Sequence, residues 1–132
     1  MTAPAEMGGM SPFFIVGDVA RSIPFYRDSL GFTVSFQSDE VDPFFAVLNR
    51  GGAQLFIKSD SALEAMPNPS RLSVMRWDAY VYVPDPAALA AEFEGRGVAF
   101  STPLHVNGDN LLGFEIADPD GHVLYFGRPN FD

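Results

Sequence analysis

The stretch DPDGHVLYFG, residues 118–127, combines a tight turn with the start of a β-strand. The proline restricts its own φ, the glycine accepts positive φ, and aspartate side chains at such positions bond nearby backbone groups. The residues after the turn alternate, so Leu124 and Phe126 share one face of a strand and Tyr125 lies on the other. If the first face belongs to the core, the phenol of Tyr125 faces a different environment.

The chain contains a weak internal duplication. FIVGDVARSIPFYRDSLGFTV (14–34) is similar to VYVPDPAALAAEFEGRGVAF (81–100). Each copy has the pattern of a strand, a capping aspartate, an amphipathic helix and a glycine stop, and alternating segments follow each copy. The pattern predicts an α+β fold of two tandem βαβββ modules, with helices near 19–30 and 86–95. Pro24 removes a backbone donor within the first helix, which predicts a distorted or 3₁₀ opening turn there.

The two copies are joined by SDSALEAMPNPSRLS (59–73), which is polar and rich in proline and serine. This composition predicts a connector with one helical turn over 62–66. A chain of 132 residues is long enough for one domain with a substantial core. We therefore expect a single domain over 1–132, with module one at about 10–58 and module two at about 74–129.

The composition excludes several classes of function. Eight lysines and arginines against seventeen aspartates and glutamates give a formal charge of −9, which repels nucleic acids and anionic lipid and favours cationic partners. The lack of cysteine excludes disulfides, thiolate catalysis and cysteine-bound zinc, and it fits a reducing cytoplasm. The start, MTAPAEMGGM, has neither the basic nor the apolar region of a signal peptide, so a cytoplasmic protein is expected.

The paired modules resemble the vicinal oxygen chelate superfamily, which includes glyoxalase I, extradiol dioxygenases, fosfomycin-modifying enzymes and bleomycin-resistance proteins. The resemblance rests on VGDVARSIPFYRDSLGF (16–32), which opens the first module, and on DPDGHVLYFG, which closes the second. It implies a curved mixed sheet with helices on its convex face and the site on its concave face. Metal-using members of the family place His, Gln or Glu ligands on four strands, and the matching positions here are Ser11, Gln54, Asp78 and Tyr125.

This set offers a hydroxyl, an amide, one carboxylate and a phenol, unlike the histidine and carboxylate clusters that hold iron, nickel or zinc. We therefore expect no metal and no other cofactor. His122 follows the turn glycine and is expected at a solvent-exposed hairpin base. His105 follows Pro103 in an edge-like segment, where it is either a solvated residue or a pocket residue that bonds a ligand.

Strand parity extends the candidate site. If the four positions above face the concave side, the period of two places there Phe13, Phe56, Tyr80, Tyr82 and Val123 as well. The opposite face is almost purely apolar, as a helix-covered face should be, and carries Phe14, Val16, Leu55, Ile57, Ala79, Val81, Val83, Leu124 and Phe126. Trp77 falls on this opposite parity, as a core residue or a subunit contact.

The expected ligand-binding residues are Ser11, Phe13, Gln54, Phe56, Asp78, Tyr80 and Tyr125. A carboxylate among rings needs a hydrogen bond, so Asp78 is expected to have a tyrosine hydroxyl or a cationic ligand as its partner.

The leading hypothesis is a metal-independent protein similar to the bleomycin-resistance branch, which sequesters a drug without turning it over. Its ligand would be a cationic or aromatic small molecule, with no nucleic acid or membrane partner. One alternative is a metal-dependent lyase, isomerase or dioxygenase of the same superfamily, in which Asp78 or His105 moves a proton. Another is a dimeric interaction module without a pocket. The resemblance also implies a homodimer.

Overall fold

The computed structural model describes residues 4–74 and 76–131, which form two four-stranded sheets with the same strand order. The strands of module one are β1 (Phe13–Ile15), β2 (Thr33–Gln37), β3 (Phe45–Arg50) and β4 (Ala53–Lys58), in the order β1-β4-β3-β2. Those of module two are β5 (Ala79–Tyr82), β6 (Thr102–Val106), β7 (Leu111–Ala117) and β8 (Val123–Pro129), in the order β5-β8-β7-β6. The tandem βαβββ prediction is confirmed, with a separate sheet in each module.

In both modules the first and last strands pair in parallel, and the other neighbours pair antiparallel. Phe13 lies opposite Phe56 in module one, and Tyr80 lies opposite Tyr125 in module two. The duplication in the sequence therefore extends to the register of the strands.

The two helices lie where the sequence pattern predicts them. Helix α1 (Val19–Pro24) starts at Asp18 and helix α2 (Pro86–Gly95) starts at Asp85, and each aspartate accepts a hydrogen bond from an amide of the first turn. Such caps satisfy amides that have no partner within the helix.

The distortion expected at Pro24 follows the proline and does not affect the opening turn. The chain continues from α1 into a π-helical turn, Phe25–Ser29, which ends with the amide of Leu30 donating to the carbonyl of Phe25 at 3.2 Å. A proline removes one donor and crowds the preceding turn, and a wider turn accommodates both effects. The prediction of a distorted or 3₁₀ opening turn was therefore wrong in position and type.

The helical turn of the connector is also displaced. The structure has a 3₁₀ turn at Asn68–Ser70 and none at 62–66. Pro67 and Pro69 flank or enter this turn, and the fixed φ of proline favours a tight turn at these positions.

The apolar faces of both sheets and the helices share one core, as strand parity predicts. The buried residues of the predicted face are Phe14, Val16, Leu55, Ile57, Leu124 and Phe126. The remaining three, Ala79, Val81 and Val83, are half-buried against the same cluster. None of the described helices has the length and apolar character needed to cross a membrane.

The turn that opens β8 connects the two modules through the carboxylate of Asp118. Its Oδ2 accepts the hydroxyl of Tyr26 at 2.8 Å and lies 2.9 Å from Nδ1 of His122. Its Oδ1 accepts the backbone amides of Asp120 and His122 at 2.9 and 2.8 Å. Burial, followed by the charge of Asp118, raises the pKa of Tyr26 well above its ordinary value, so this phenol remains a hydrogen-bond donor.

His122 is buried, which corrects the expectation of a solvent-exposed hairpin base. It is 4% exposed, and its ring stacks on Phe14 with centroids 4.3 Å apart and planes 4° from parallel. Burial lowers the pKa of His122, but the hydrogen bond and charge of Asp118 outweigh this effect, so the pKa lies above its ordinary value. A histidine at this turn therefore serves the packing between modules.

We expect the free energy of unfolding to fall as the pH rises through the folded-state pKa of His122. Because this pKa is above the ordinary value of about 6.5, the stabilisation is complete below that value and is lost at higher pH. Urea unfolding at a series of pH values measures this dependence. His122→Gln should remove it, and His105→Gln, at the exposed histidine, should keep it. An unchanged pH profile in His122→Gln would contradict the assignment.

Candidate functional site

An open cleft of about 690 Å³ lies between the two modules. One wall is the turn between β3 and β4 with the start of β4, and the other is β5 with the residues that follow it. Gln54 and Tyr80, both predicted site residues, line this cleft together with Tyr82. Its deeper wall reaches core residues, including Phe93 and Phe126. The volume and the mixture of rings with a few polar groups are typical of small-molecule sites.

The polar groups of the cleft are fixed by hydrogen bonds. Ser11 Oγ donates to Gln54 Oε1 at 2.8 Å, which orients the amide of an exposed side chain. The hydroxyl of Tyr80 donates to the carbonyl of Gly127 at 3.2 Å. Burial raises the pKa of Tyr80, so its phenol stays neutral at physiological pH. Ser11 and Gln54, two of the predicted site residues, thus contact each other.

Arg50 lines the cleft but is occupied by contacts within the protein. Its guanidinium makes two hydrogen bonds of 2.8 Å to the carboxylate of Glu92, and a third to the carbonyl of Leu30. It also lies over the ring of Phe93, 5.8 Å from the centroid. The hydrogen bond from Arg50 is the main reason that the pKa of Glu92 is lowered. The ion pair of Arg50 with Glu92 joins the two modules and neutralises the positive charge of Arg50 in the wall of the cleft.

Four phenylalanines form a patch on the solvent face of the first sheet, with neighbouring ring centroids 5.8 to 6.1 Å apart. This phenylalanine patch consists of Phe13, Phe36, Phe45 and Phe56. Phe13 and Phe36 are 53% and 54% exposed. Strand parity predicted Phe13 and Phe56 but not the other two. Extending the alternation to β3 would have found Phe45, whereas an irregular register in β2 obscures Phe36.

The second sheet carries a stack of three rings at the equivalent position. Tyr125 lies parallel to Tyr80 at 5.8 Å, and the indole of Trp77 covers Tyr125 at 4.0 Å with an interplanar angle of 20°. Tyr125 is only 1% exposed, so it is beneath Trp77 and does not line the cleft. The expectation that Trp77 faces the opposite side was wrong, because residue 77 precedes β5 and the strand period does not extend to it.

Two glycines allow Tyr125 to lie close to the sheet. A β-carbon added at Gly113 would lie 2.5 Å from the Tyr125 hydroxyl, and one at Gly127 would lie 2.6 Å from its ring. These two residues are register partners on β7 and β8. The side chain of Tyr125 therefore occupies the space in which a β-carbon at Gly113 or Gly127 would lie.

Asp78 has backbone partners and not the tyrosine hydroxyl that the sequence suggested. Its Oδ1 accepts the amide of Asn68 at 2.8 Å, and its Oδ2 accepts the amide of Val123 at 2.9 Å. The carboxylate thus fastens the connector to the start of β8. His105, which is exposed, lies with Nδ1 2.9 Å from the carbonyl of Pro103 and is not among the residues that line the cleft.

The four positions that match the family's metal ligands do not form a metal-binding set. Ser11 bonds Gln54, Asp78 bonds backbone amides, and Tyr125 lies under Trp77. Across residues 4–74 and 76–131, no three His, Cys, Asp or Glu side chains are grouped so that they could hold an ion. Of the four residues only Gln54 is of a type that the family uses as a ligand, and a serine hydroxyl and a neutral phenol are poor ligands for the borderline metals that the family uses. The residues present therefore do not fit that metal.

The chain is similar to known proteins in its family profile and in its fold. The profile of the Glyoxalase/Bleomycin resistance protein/Dioxygenase superfamily matches residues 10–126. No curated protein matches the sequence. Several solved structures have the same fold, among them TioX from Micromonospora sp. ML1, which is 18% identical with a TM-score of 0.71 over 92% of this chain and 98% of that one.

Two further structures come from bleomycin-binding proteins and resistance determinants. The bleomycin-binding protein of Streptomyces verticillus, solved with copper(II)-bleomycin, is 25% identical with a TM-score of 0.70 over 93% of this chain and 97% of that one. The bleomycin resistance determinant encoded on the transposon Tn5 is 18% identical with a TM-score of 0.68 over 95% and 100%. With a profile match over most of its length and a tandem βαβββ fold, this chain belongs to the Glyoxalase/Bleomycin resistance protein/Dioxygenase superfamily.

Proposed function

We propose that this protein binds a small aromatic molecule in the cleft between its modules, without a metal and without turning it over. The observation that carries the proposal is the cleft of about 690 Å³, lined by rings and by the predicted site residues Gln54 and Tyr80. Aromatic faces supply contact area and stacking, and the fixed amide and phenol supply orientation. A relative 25% identical to this chain is described as a bleomycin-binding protein, which supports a binding role.

The remaining predicted residues extend the proposed site beyond the cleft. Phe13 and Phe56 belong to the phenylalanine patch; Phe56 lies on β4, the strand that carries Gln54, and Phe13 lies on the neighbouring strand β1. Asp78 and Tyr80 share a smaller open hollow of about 240 Å³, which Trp77 also lines. We propose that a ligand extends over these surfaces from the cleft, with Tyr125 behind Trp77.

Catalysis has less support than binding. An enzyme of this class needs an acid or base near the substrate. Asp78 is held by two backbone amides, and His105 is not among the residues that line the cleft. Among the described residues that line the cleft, the ionisable groups are Arg50, which is paired with Glu92, and two tyrosines.

We further propose that the ligand is cationic. The net charge of −9 attracts cations, and the pairing of Arg50 with Glu92 removes the cation that would repel them. Tyr80 and Tyr82, 46% and 62% exposed, offer ring faces for cation–π contact.

Binding of proflavine, a planar aromatic cation, tests the site. Tyr80→Ala should weaken binding by about threefold to tenfold, because one aromatic contact is worth roughly 0.5 to 1.5 kcal/mol. Fluorescence titration measures the dissociation constant. Phe131→Ala, at an exposed ring that does not line the cleft, should bind like the wild type. Equal affinity of Tyr80→Ala and wild type would exclude the cleft as the site.

The role of Asp78 in selecting a cation is tested by comparing proflavine with neutral, planar acridone. If the carboxylate selects charge, Asp78→Asn should weaken proflavine binding much more than acridone binding. Urea unfolding of the same variant gives the separate structural cost of losing an acceptor for two amides. Equal losses for both compounds would show that Asp78 acts only as a structural tie.

We propose that the protein is a homodimer whose subunits meet at Phe36, a ring of the phenylalanine patch that is 54% exposed and is not among the proposed ligand contacts. Light scattering should give twice the chain mass of 14.4 kDa. Phe36→Ser should shift the mass toward the monomer, whereas Phe131→Ser should not. A wild-type protein that is monomeric at its highest soluble concentration would refute this proposal.

A further inference from the structure

Trp77 covers Tyr125, and we propose that its indole is a gate that controls whether a planar aromatic ligand can stack on this tyrosine. The inference rests on the proposed function, since it assigns to Trp77 a role in admitting the ligand. In the closed arrangement of this structure, the indole occupies the stacking position itself.

The first observation is the state of Tyr125. Its side chain is buried, and its hydroxyl has no hydrogen-bond partner among the described residues. Buried polar groups normally have a partner, so an orphan phenol on a solvent face of a sheet requires an explanation. A ligand with a hydrogen-bond acceptor would satisfy it. Burial also raises the pKa of Tyr125, so the phenol keeps its proton as a donor.

The second observation is the geometry of the rings. Trp77 lies 4.0 Å above Tyr125 and 20° from parallel, which is a stacking arrangement. On the other side of the ring, Gly113 and Gly127 bring Tyr125 down against the sheet. Since the glycine side is closed by the backbone, the indole side is the face on which another flat ring can stack.

The third observation concerns what holds the indole. The backbone carbonyl of Trp77 accepts the side-chain amide of Asn68 at 2.7 Å, and the next residue, Asp78, accepts the Asn68 backbone amide at 2.8 Å. Among the described residues, the indole itself is held by ring contacts. The open hollow of about 240 Å³ beside Trp77 gives the ring space to move. The indole can therefore leave Tyr125 while the backbone stays anchored.

When a gate is open in only a fraction of the molecules, the apparent affinity for a ligand is the intrinsic affinity multiplied by that fraction. Replacing Trp77 by alanine should remove this reduction, so Trp77→Ala should bind proflavine about two- to tenfold more tightly than the wild type, the range that one aromatic pair contributes. Phe131→Ala is the matched control for loss of a large ring away from the stack.

A second measurement needs no ligand. Removal of the indole should expose the Tyr125 phenol, so ultraviolet titration of Trp77→Ala should show one tyrosine with a pKa nearer its ordinary value than in the wild type. Adding Tyr125→Phe to Trp77→Ala should abolish this change. The double variant thereby assigns the signal to Tyr125 and separates it from any effect on overall folding.

The outcomes separate the gate from the proposed function. Tighter proflavine binding by Trp77→Ala, together with the altered phenol titration, supports the gate. Unchanged or weaker binding by Trp77→Ala, with a wild type that binds, overturns the gate and leaves the proposed function standing. Absence of binding by both proteins overturns the proposed function and the gate with it.

Discussion

The carboxylate of Asp118 is the interaction on which the placement of the two modules depends. It accepts the phenol of Tyr26 from module one, the imidazole of His122 from its own turn, and two backbone amides. A buried carboxylate is tolerated only when its oxygens are satisfied, and these contacts satisfy both. The donors come from both modules, so this cluster can form only when the modules are docked. The walls of the cleft belong to different modules, and their separation follows from this docking.

A second contact between the modules involves Arg50, which lines the cleft. Arg50 on β3 bonds Glu92 on α2, and Arg96 bonds the same carboxylate at 3.0 Å. Each of these side chains is partly exposed, so the pair contributes less to stability than the buried cluster around Asp118. The main effect of the Arg50–Glu92 pair is on the electrostatics of the cleft, because the carboxylate of Glu92 neutralises the guanidinium of Arg50 in the cleft wall.

The sequence predicted the strands, the helices and the core face, because these depend on local periodicity. Phe14, Leu55 and Leu124 are buried as the period of two requires. Contacts between distant residues could not be predicted in the same way. His122 is buried against Phe14 of the other module, and no local pattern relates these two residues, so the burial of His122 was missed.

The candidate site was predictable only in part, for a similar reason. Parity placed Gln54 and Tyr80 on the faces opposite the core, and both line the cleft. Parity does not apply to Trp77, which precedes its strand, so the covering of Tyr125 was not foreseen. The partners of Asp78 are backbone amides, which every residue except proline carries, so the sequence offers no signal that would single them out.

The matching registers of the two modules have a consequence for how a ligand can be oriented. Phe13 faces Phe56 in one parallel strand pair, and Tyr80 faces Tyr125 in the other. An exact repeat would present two equivalent poses, and a bound molecule would divide its population between them. Here the phenolic hydroxyls belong to one pair alone, so the two poses differ in energy. The shared strand register makes the two modules similar, and the hydroxyl groups of Tyr80 and Tyr125 distinguish two binding poses that would otherwise be equivalent.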